Sequence, residues 1–359
     1  MYDKIYDLNN LIIAHKKVTK SNKNKLSSLR YFYFLENNLL KLESLLSEEN
    51  YKVKPYKHFI VTDPKRRQVS APAFEDRIVQ HSLVSVIEPI FDKTFIDDDY
   101  ACRNNKGTHY ALKRAKKFLQ SARTFYGKEK DIFILKGDIK KFFGSISWDI
   151  LLEIVFKKIK DKRTYNLIEK IITNHSMYGE DNNPKLCQQG LFEEKKEEPP
   201  VSTQNRTGLP IGNLTSQLFA NVYMNELDQY IKHKLKEKWY GRYMDDFFII
   251  SGDKEHLEQI KVEINNFLKN RLKLNLHPKK SFIQNVKYGV CFVGYRIFYD
   301  HILINGSTLR RFQKKYARKL KMFRKNKISE EDLHRCEQSF CGHMKHANAY
   351  WLREKMFNN

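Results

Sequence analysis

Long apolar runs and cysteine are the two features that this sequence of 359 residues has little of. No run approaches the ~18 apolar residues that a membrane-crossing helix needs, so no membrane-spanning segment is expected. The five cysteines are odd in number and scattered, which excludes a disulfide-stapled scaffold and suits a reducing compartment. The start, MYDKIYDLNN, has no basic segment followed by an apolar one, so we expect no secretory signal and a cytoplasmic location.

Negative charge is also in deficit, because 42 Asp+Glu face 66 Lys+Arg and give a formal net charge of +24. This charge predicts a polyanionic partner, with nucleic acid as the first candidate and a membrane surface as the second. The 24 Phe and 20 Tyr are enough to bury a core, which excludes a disordered chain. The 14 Gly and 9 Pro are too few for a collagen-like chain.

The basic residues are unevenly distributed along the chain. Residues 307–359 hold 14 Lys+Arg against 5 Asp+Glu, and TLRRFQKKYARKLKMFRKN predicts a basic amphipathic helix there. Residues 16–25 contain five Lys among Ser and Asn, which predicts a mobile basic arm. Residues 176–206 combine Gly, Asn and Pro with an EEKKEE run and predict a surface insertion.

The remaining pattern predicts alternating strands and helices. We expect a hairpin over 57–74, a buried strand over 132–136, two strands over 240–251 and a strand-rich stretch over 281–304. Helical spacing predicts helices over 76–92, 106–123, 147–175, 215–236 and 254–272. This order of elements predicts an α+β fold with helices against one face of a sheet.

Three aspartates stand out by their context. Asp138 closes the apolar strand IFILKGD, and Asp245 and Asp246 sit between two apolar runs in YGRYMDDFFIIS, where a hairpin tip is predicted. Neighbouring like charges in apolar surroundings are costly unless a cation neutralises them. Paired Mg²⁺ ions held by carboxylates are a common solution for phosphoryl transfer. The acidic run 97–99 has no strand on either side and is interpreted as a solvated turn.

Seven motifs in order resemble bacterial, group II intron-like reverse transcriptases. They are DRIVQHSLVSVIEPIF, YACRNNKGTHYAL, DIKKFFGSI, GLPIGNLTSQLFANVYMNELD, YMDD, LNLHPKKSF and GVCFVGYRI. The resemblance implies a right-hand polymerase fold with fingers, a palm of antiparallel sheet backed by helices, and a helical thumb. It implies an N-terminal basic arm and helix over 1–55, fingers and palm over 56–304 and a basic helical thumb over 305–359, in a bacterial or phage-encoded protein.

The same resemblance implies a site for two Mg²⁺ ions, with Mn²⁺ as the alternative metal. Asp138 and Asp245 would bind both ions, Asp246 would assist, and Ile139 would be a further ligand next to Asp138. Lys279 or its neighbour would protonate the pyrophosphate leaving group, although either could be an ordinary exposed lysine.

Substrate-binding residues are implied in three further motifs. Lys65 and Arg67 would grip the incoming triphosphate, since Arg and Lys make charge-assisted bonds to phosphate; a solvated hairpin tip is the alternative. Phe143 would be the aromatic gate that clashes with a 2′-hydroxyl, and a core Phe is the alternative. Gly212 would let the backbone approach the template and the nucleotide.

The stretch around Gly212 departs from many reverse transcriptases, because Ile211 replaces a Gln and Ser216-Gln217 replaces Ser-Pro. The pattern resembles the reverse transcriptases of diversity-generating retroelements and some phage-defence reverse transcriptases. Loss of the Gln would remove a polar contact to the nucleotide, and we hypothesise lowered fidelity opposite template adenine.

These observations favour an RNA-directed DNA polymerase that uses deoxynucleoside triphosphates, an RNA template and an RNA/DNA duplex. In the retroelement setting, a structured non-coding RNA and a small accessory protein or other complex subunit would be partners. Abortive phage defence is the alternative setting. A non-catalytic RNA-binding protein on a polymerase scaffold is the alternative class.

Overall fold

The structure, a computed structural model, describes residues 1–20, 26–62, 66–174 and 206–357. Lys65 and nearly all of the predicted insertion over 176–206 lie outside these residues. The chain forms two compact units. Unit 1 comprises Met1–Phe95, Lys141–Glu226 and Lys269–Leu274, and unit 2 comprises Ile96–Lys140, Leu227–Leu268 and Asn275–Asn359. The predicted division at residues 55 and 304 stays a prediction.

Helices and short strands alternate along the described chain. Up to residue 174 they are α1 (Asp3–Tyr6), α2 (Leu8–Lys20), α3 (Leu26–Tyr33), α4 (Leu35–Ser47), β1 (Lys57–Val61), β2 (Arg67–Ala71), α5 (Phe74–Asp92), α6 (Thr108–Tyr126), β3 (Phe133–Asp138), α7 (Phe142–Ser145), α8 (Trp148–Lys158) and α9 (Lys162–Thr173). From residue 206 they are α10 (Leu214–Gln229), β4 (Trp239–Tyr243), β5 (Asp246–Ser251), α11 (Lys254–Leu272), β6 (Phe282–Asn285), β7 (Val290–Phe292), β8 (Tyr295–Ile297), β9 (Ile302–Ile304), α12 (Gly306–Phe323), α13 (Glu330–Met344) and α14 (Tyr350–Phe357).

Helix α2 corrects the prediction of a mobile basic arm over 16–25 for residues 16–20. Residues 16–20 form the last turns of this helix, and residues 21–25 lie outside the described part. Leu11, Ala14 and Val18 are buried on one face while Lys16 and Lys17 are exposed on the other. The lysines were misread because three buried positions at helical spacing are enough to hold this segment in place.

A predicted hairpin and the helix after it are confirmed in unit 1. Strands β1 and β2 pair antiparallel, with Val61 opposite Arg67 and Lys57 opposite Ala71. Helix α5 follows after Pro72 and buries a continuous set of apolar side chains, among them Ile78, Val79, Leu83 and Ile87. The spacing of these residues is that of an inward helix face.

A four-stranded antiparallel sheet organises unit 2, in the order β4-β5-β3-β6. Strand β3 is central, since it pairs with β5 on one side and with β6 on the other. Both β3 and β5 are buried along most of their length, which explains their continuous apolar sequences. Helix α6 covers one face, where Ala115 and Phe118 share a core with Phe248 and Ile250. The predicted α+β arrangement is confirmed.

The C-terminal helices of unit 2 form a small core of their own. Asn305 caps α12 by accepting a hydrogen bond from the Ser307 amide, and Ser329 caps α13 in the same way. The rings of Phe312 and Phe340 stack with centroids 3.7 Å apart, and Cys336 packs in the same cluster. The predicted basic helix is confirmed as α12, whose exposed face carries the lysines and arginines.

None of the helices within the described ranges is long and apolar enough to cross a membrane.

Candidate functional site

The predicted site residues belong to both units. Asp138, Ile139, Asp245, Asp246 and Lys279 belong to unit 2. The residues of unit 1 are Arg67, Phe143, Ile211, Gly212 and Gln217.

The backbone of Asp138 is fixed by the segment that precedes β6. The Asp138 carbonyl accepts hydrogen bonds from the His277 amide at 2.7 Å and from Ser281 Oγ at 3.3 Å. The same Ser281 Oγ accepts the Asp138 amide at 3.2 Å. Ile139 forms a β-bridge with Leu276. The hydrogen bonds of this bridge are made by the residues on either side of Ile139 and Leu276, so the bridge does not use the Ile139 carbonyl. The end of β3 at Asp138 is therefore fixed through both the amide and the carbonyl of this residue.

Asp245 and Asp246 occupy the hairpin tip between β4 and β5. Tyr243 pairs with Asp246, which leaves Met244 and Asp245 as a two-residue turn. Met244 has a φ of +59°, in a region that a side chain makes unfavourable. On the neighbouring strand Asp138 lies opposite Asp246 in the antiparallel register. The three predicted carboxylates are thus brought to one end of the sheet.

Two lysines neutralise two of the three carboxylates. Lys136, a buried residue two positions before Asp138 and on the same face of β3, pairs with Asp246. Its ammonium also lies 4.7 Å from the centre of the Phe292 ring. Lys280 Nζ donates to both carboxylate oxygens of Asp138, at 2.8 and 3.1 Å. The structure therefore brings Lys280 to the carboxylates, while Lys279 is an exposed residue whose predicted role stays a prediction.

The electrostatics of the hairpin tip suit a bound cation. Burial raises the pKa of Asp245, and the negative charges of Asp138 and Asp246 raise it further. Burial also raises the pKa of Asp246, against the opposing charge of Lys136. Across residues 1–20, 26–62, 66–174 and 206–357, no three His, Cys, Asp or Glu side chains are grouped closely enough to hold a metal as they stand. The carboxylate donors nevertheless fit a hard divalent ion in kind and in charge.

In unit 1, the motif around Gly212 packs against the β1-β2 hairpin. The Ser70 amide donates to the Ile211 carbonyl at 3.0 Å. Gly212 has a φ of +117°, and a Cβ there would lie 3.0 Å from Val69. Any other residue would be strained at this position, so glycine is required by the local backbone and by the close approach of β2. Gln217, on the first turns of α10, is half-buried.

The remaining predicted residues of unit 1 are Arg67 and Phe143. Arg67 is exposed at the start of β2, where it pairs with Val61. Phe142 is buried at 3% exposure, whereas the adjacent Phe143 is half-buried, with ring centroids 5.4 Å apart. Phe142 can therefore fill the core, and the predicted gate role of Phe143 stays a prediction.

The interpretation of residues 97–99 as a solvated turn is wrong for Asp98 and Asp99, which are buried. Asp98 accepts two hydrogen bonds from Arg114, at 2.8 and 3.0 Å. Asp99 forms an ion pair with Arg242, and both side chains are fully buried. A signal was present in the sequence, because an arginine inside the apolar strand WYGRY needs a buried carboxylate as partner.

Comparison with known proteins identifies the family. The model of the family "Reverse transcriptase (RNA-dependent DNA polymerase)" matches residues 61–297. The chain therefore belongs to the reverse transcriptase family. The match begins at the last residue of β1 and includes β2, all three carboxylates and strands β7 and β8.

Two relatives show how far the similarity reaches. "Protein YkfC" of Escherichia coli is 28% identical over 265 residues, which cover 65% of this chain and 63% of that protein. "Group II intron-encoded protein LtrA" of Lactococcus lactis is 25% identical over 329 residues, which cover 74% of this chain and 50% of that protein. The chain thus spans less than two thirds of the length of these relatives.

A solved structure supports the fold. The apo telomerase of Candida tropicalis superimposes with a TM-score of 0.51 at 11% identity, over 72% of this chain and 49% of that one. The fold is accordingly α+β, of the right-hand polymerase type.

Proposed function

We propose that this chain is an RNA-directed DNA polymerase that extends a primer on an RNA template. The observation that carries the proposal is the meeting of Asp138, Asp245 and Asp246 at one end of the unit 2 sheet. Asp138 lies more than a hundred positions before Asp245 and Asp246 in the sequence, and nothing in strand packing requires three carboxylates there. A protein that merely binds RNA would have no use for this arrangement, because clustered carboxylates repel phosphate.

The carboxylates are proposed to have different tasks. Asp246 forms an ion pair with the buried Lys136, so it would be held in place beside the metal ligands rather than bind the metal itself. Asp138 and Asp245 would hold the divalent ions, with the Ile139 carbonyl as a further ligand. Lys280, whose side chain is about half exposed, must leave Asp138 when a metal binds. When bound, the ions would activate the primer hydroxyl and neutralise charge on the transferred phosphate.

Residues of unit 1 are proposed to select the substrate. Arg67 and Lys65 would pair with the triphosphate of a deoxynucleotide, and Phe143 would exclude a 2′-hydroxyl. Gly212 would let the backbone lie against the template. The exposed basic face of α12 would contact the phosphates of an RNA/DNA duplex, which presents backbone rather than readable base edges.

For the biological setting we propose error-prone synthesis of the diversity-generating type, in the cytoplasm, with a structured RNA and an accessory protein. The support is the apolar Ile211 before Gly212, with Gln217 after it. The Ile211 carbonyl is used by Ser70, and its side chain offers no hydrogen bond to a nucleotide.

The polymerase activity is tested by supplying a primed RNA, deoxynucleotides and Mg²⁺ to the purified protein. Extension of the primer is expected for wild type, and loss of at least ~10³-fold is expected for Asp245→Asn. Asp300→Asn is the matched control, since Asp300 is exposed and pairs with His301. Binding of RNA without extension under any metal would instead indicate the non-catalytic class.

The setting is tested by sequencing the products of wild type and Ile211→Gln on one template. Substitutions concentrated opposite adenine in wild type, and reduced in the variant, are expected. An unchanged error spectrum would refute the fidelity hypothesis, and untemplated or repetitive DNA would favour phage defence.

A further inference from the structure

A buried ion network lies behind the turn that carries Asp245. Arg242 on β4 is fully buried, although arginine is among the residues least often found inside proteins. Its Nε and Nη2 donate to the two carboxylate oxygens of Asp228, at 2.8 and 2.6 Å. Its Nη2 also lies 3.1 Å from Asp99 Oδ2. One guanidinium thus joins two acidic residues from the end of α10 and from the loop before α6.

The backbone of the same loop is locked to β4. The Arg242 amide donates to the Asp98 carbonyl at 2.9 Å, and the Tyr100 amide donates to the Arg242 carbonyl at 3.0 Å. Arg103 holds the other side of the loop by donating to the carbonyls of Ile96 and Asp99. The position of the arginine is therefore set by main-chain and side-chain bonds together.

The same guanidinium also contacts the turn itself. Arg242 Nη1 donates to the carbonyl of Met244 at 3.0 Å. Met244 is the residue with the left-handed φ of +59°, and Asp245 follows it directly. A strained residue keeps such a conformation only when surrounding contacts impose it. The bond from Arg242 is such a contact, and it acts one residue before Asp245, one of the two carboxylates proposed to hold the divalent ions.

We propose that Arg242, clamped between Asp99 and Asp228, is a positioning residue that holds the Met244 turn so that the Asp245 carboxylate is aimed at the metal site. This inference rests on the proposed function and deepens it. The guanidinium is fully buried, and it acts through the backbone of Met244. Burial keeps water from competing for the guanidinium, so the orientation of the Asp245 carboxylate is maintained before a ligand binds.

A second feature agrees with this reading. Tyr240 on the same strand donates its hydroxyl to Asp228 Oδ1 at 2.6 Å. Gly241 lies between Tyr240 and Arg242, and a Cβ there would come within 2.7 Å of the Tyr100 hydroxyl. Strand β4 is thus packed too tightly to shift. Loss of the bond from Arg242 to Met244 would therefore change the turn rather than the strand.

The test compares Arg242→Lys with wild type and with Arg114→Lys. Lysine keeps the charge but cannot reach both aspartates and the Met244 carbonyl at once. Arg114 is the matched control, because it pairs with Asp98 in the same loop and has no bond to the turn among the described contacts. Thermal unfolding and RNA/DNA duplex binding establish that each variant is folded.

Two readouts separate positioning from a structural role. We expect Arg242→Lys to lower kcat about 100-fold, the loss typical of a misplaced catalytic group, with the KM for deoxynucleotide unchanged. Affinity for Mn²⁺, measured by electron paramagnetic resonance on the duplex complex, is expected to fall about tenfold. Arg114→Lys should match wild type in both. Wild-type kcat and Mn²⁺ affinity in folded Arg242→Lys would overturn the proposal.

If Arg242→Lys does not fold, Asp99→Asn decides. This variant removes one charge from the clamp and leaves the bonds to Asp228 and Met244, so the same changes are expected at smaller size. Wild-type values for Asp99→Asn would then overturn the proposal. If wild-type protein extends no primer with any metal, the proposed function fails. If wild-type protein is active and the variants match it, only the positioning role of Arg242 fails.

Discussion

Asp138 on β3 lies directly opposite Asp246 on β5, and each carboxylate is paired with its own lysine. The two lysines differ in freedom, since Lys136 is buried and Lys280 is about half exposed. One carboxylate is thus permanently neutralised, and the other can exchange its partner. This difference leads to the first prediction.

Replacing Lys280 by Gln should lower the Mg²⁺ concentration that gives half-maximal DNA synthesis by about threefold. The reason is that the ammonium competes with the metal for Asp138, and an ion pair this exposed contributes at most ~1 kcal/mol. A Mg²⁺ titration of primer extension measures the change. Lys279→Gln is the control and should leave the midpoint unchanged. Superimposable titrations for Lys280→Gln and wild type would contradict the prediction, and a lower maximal rate in the control would favour Lys279 as the proton donor.

Replacing Phe143 by Val should raise ribonucleotide incorporation relative to deoxynucleotide incorporation by at least about tenfold. A smaller side chain leaves room for the 2′-hydroxyl, and steric fit of this kind contributes that order of discrimination. The measurement is the ratio of kcat/KM for the two nucleotides. Phe142→Leu changes the buried neighbour instead, and it should reduce thermal stability while keeping the ratio. An unaltered ratio in Phe143→Val would leave Phe143 as a packing residue.

The stability of the protein should depend on Asp99 in mildly acid solution. Burial raises the pKa of Asp99 to about 6, with Arg242 opposing the shift and Asp228 adding to it. The folded state therefore binds a proton more readily than the unfolded state, whose carboxyl keeps the ordinary value of 3.8. Asp99 consequently lowers the free energy of unfolding as pH rises from about 4 to about 6.

Asp99→Asn should remove this contribution, so that the variant gains stability relative to wild type as pH rises through that window. Denaturant unfolding at several pH values measures the difference between the two proteins. The opposite sign, with wild type gaining on the variant, would show that Asp99 is more acidic in the folded state.

Gly137→Ala should destabilise the protein by about 1–3 kcal/mol, because overpacked cores must shift their neighbours. A methyl group at this position would lie 2.1 Å from Phe247 Cζ on the paired strand. Gly342→Ala, within α13 and with nothing within 4 Å of the added carbon, should instead raise stability by up to ~1 kcal/mol. Equal effects of the two substitutions in denaturant unfolding would contradict the prediction.

The helices and strands that the sequence predicts best are those in which the apolar residues have a clear spacing. Helix α11 begins and ends where its pattern predicts, and the apolar start of β3 predicts the strand that ends at Asp138. Predictions failed where a charged residue is buried by a distant partner. Asp99 looks like any acidic turn residue until Arg242 is placed beside it. An arginine in an apolar strand indicates a buried carboxylate partner, but the local pattern does not show which carboxylate that is.

The same reasoning applies to the site. Asp138, Asp245 and Asp246 could be selected from their apolar context, since a charge among buried residues is costly and signals a purpose. The ion pair of Lys280 with Asp138 could not be predicted from spacing, because it depends on the register of β6 with β3. The sequence does not show which of Lys279 and Lys280 contacts Asp138, because that depends on which side chain points toward the end of β3.

The strand order also governs when the site can form during synthesis. Lys136 and Asp246 are 110 residues apart in sequence, and Asp138 and Lys280 are 142 residues apart. A ribosome must therefore produce most of the chain before the central strand gains either neighbour, and each pairing closes a long loop at an entropic cost. The growing polypeptide carries its acidic groups apart from one another, and a chain interrupted before residue 280 would lack Lys280 and Ser281, which secure Asp138.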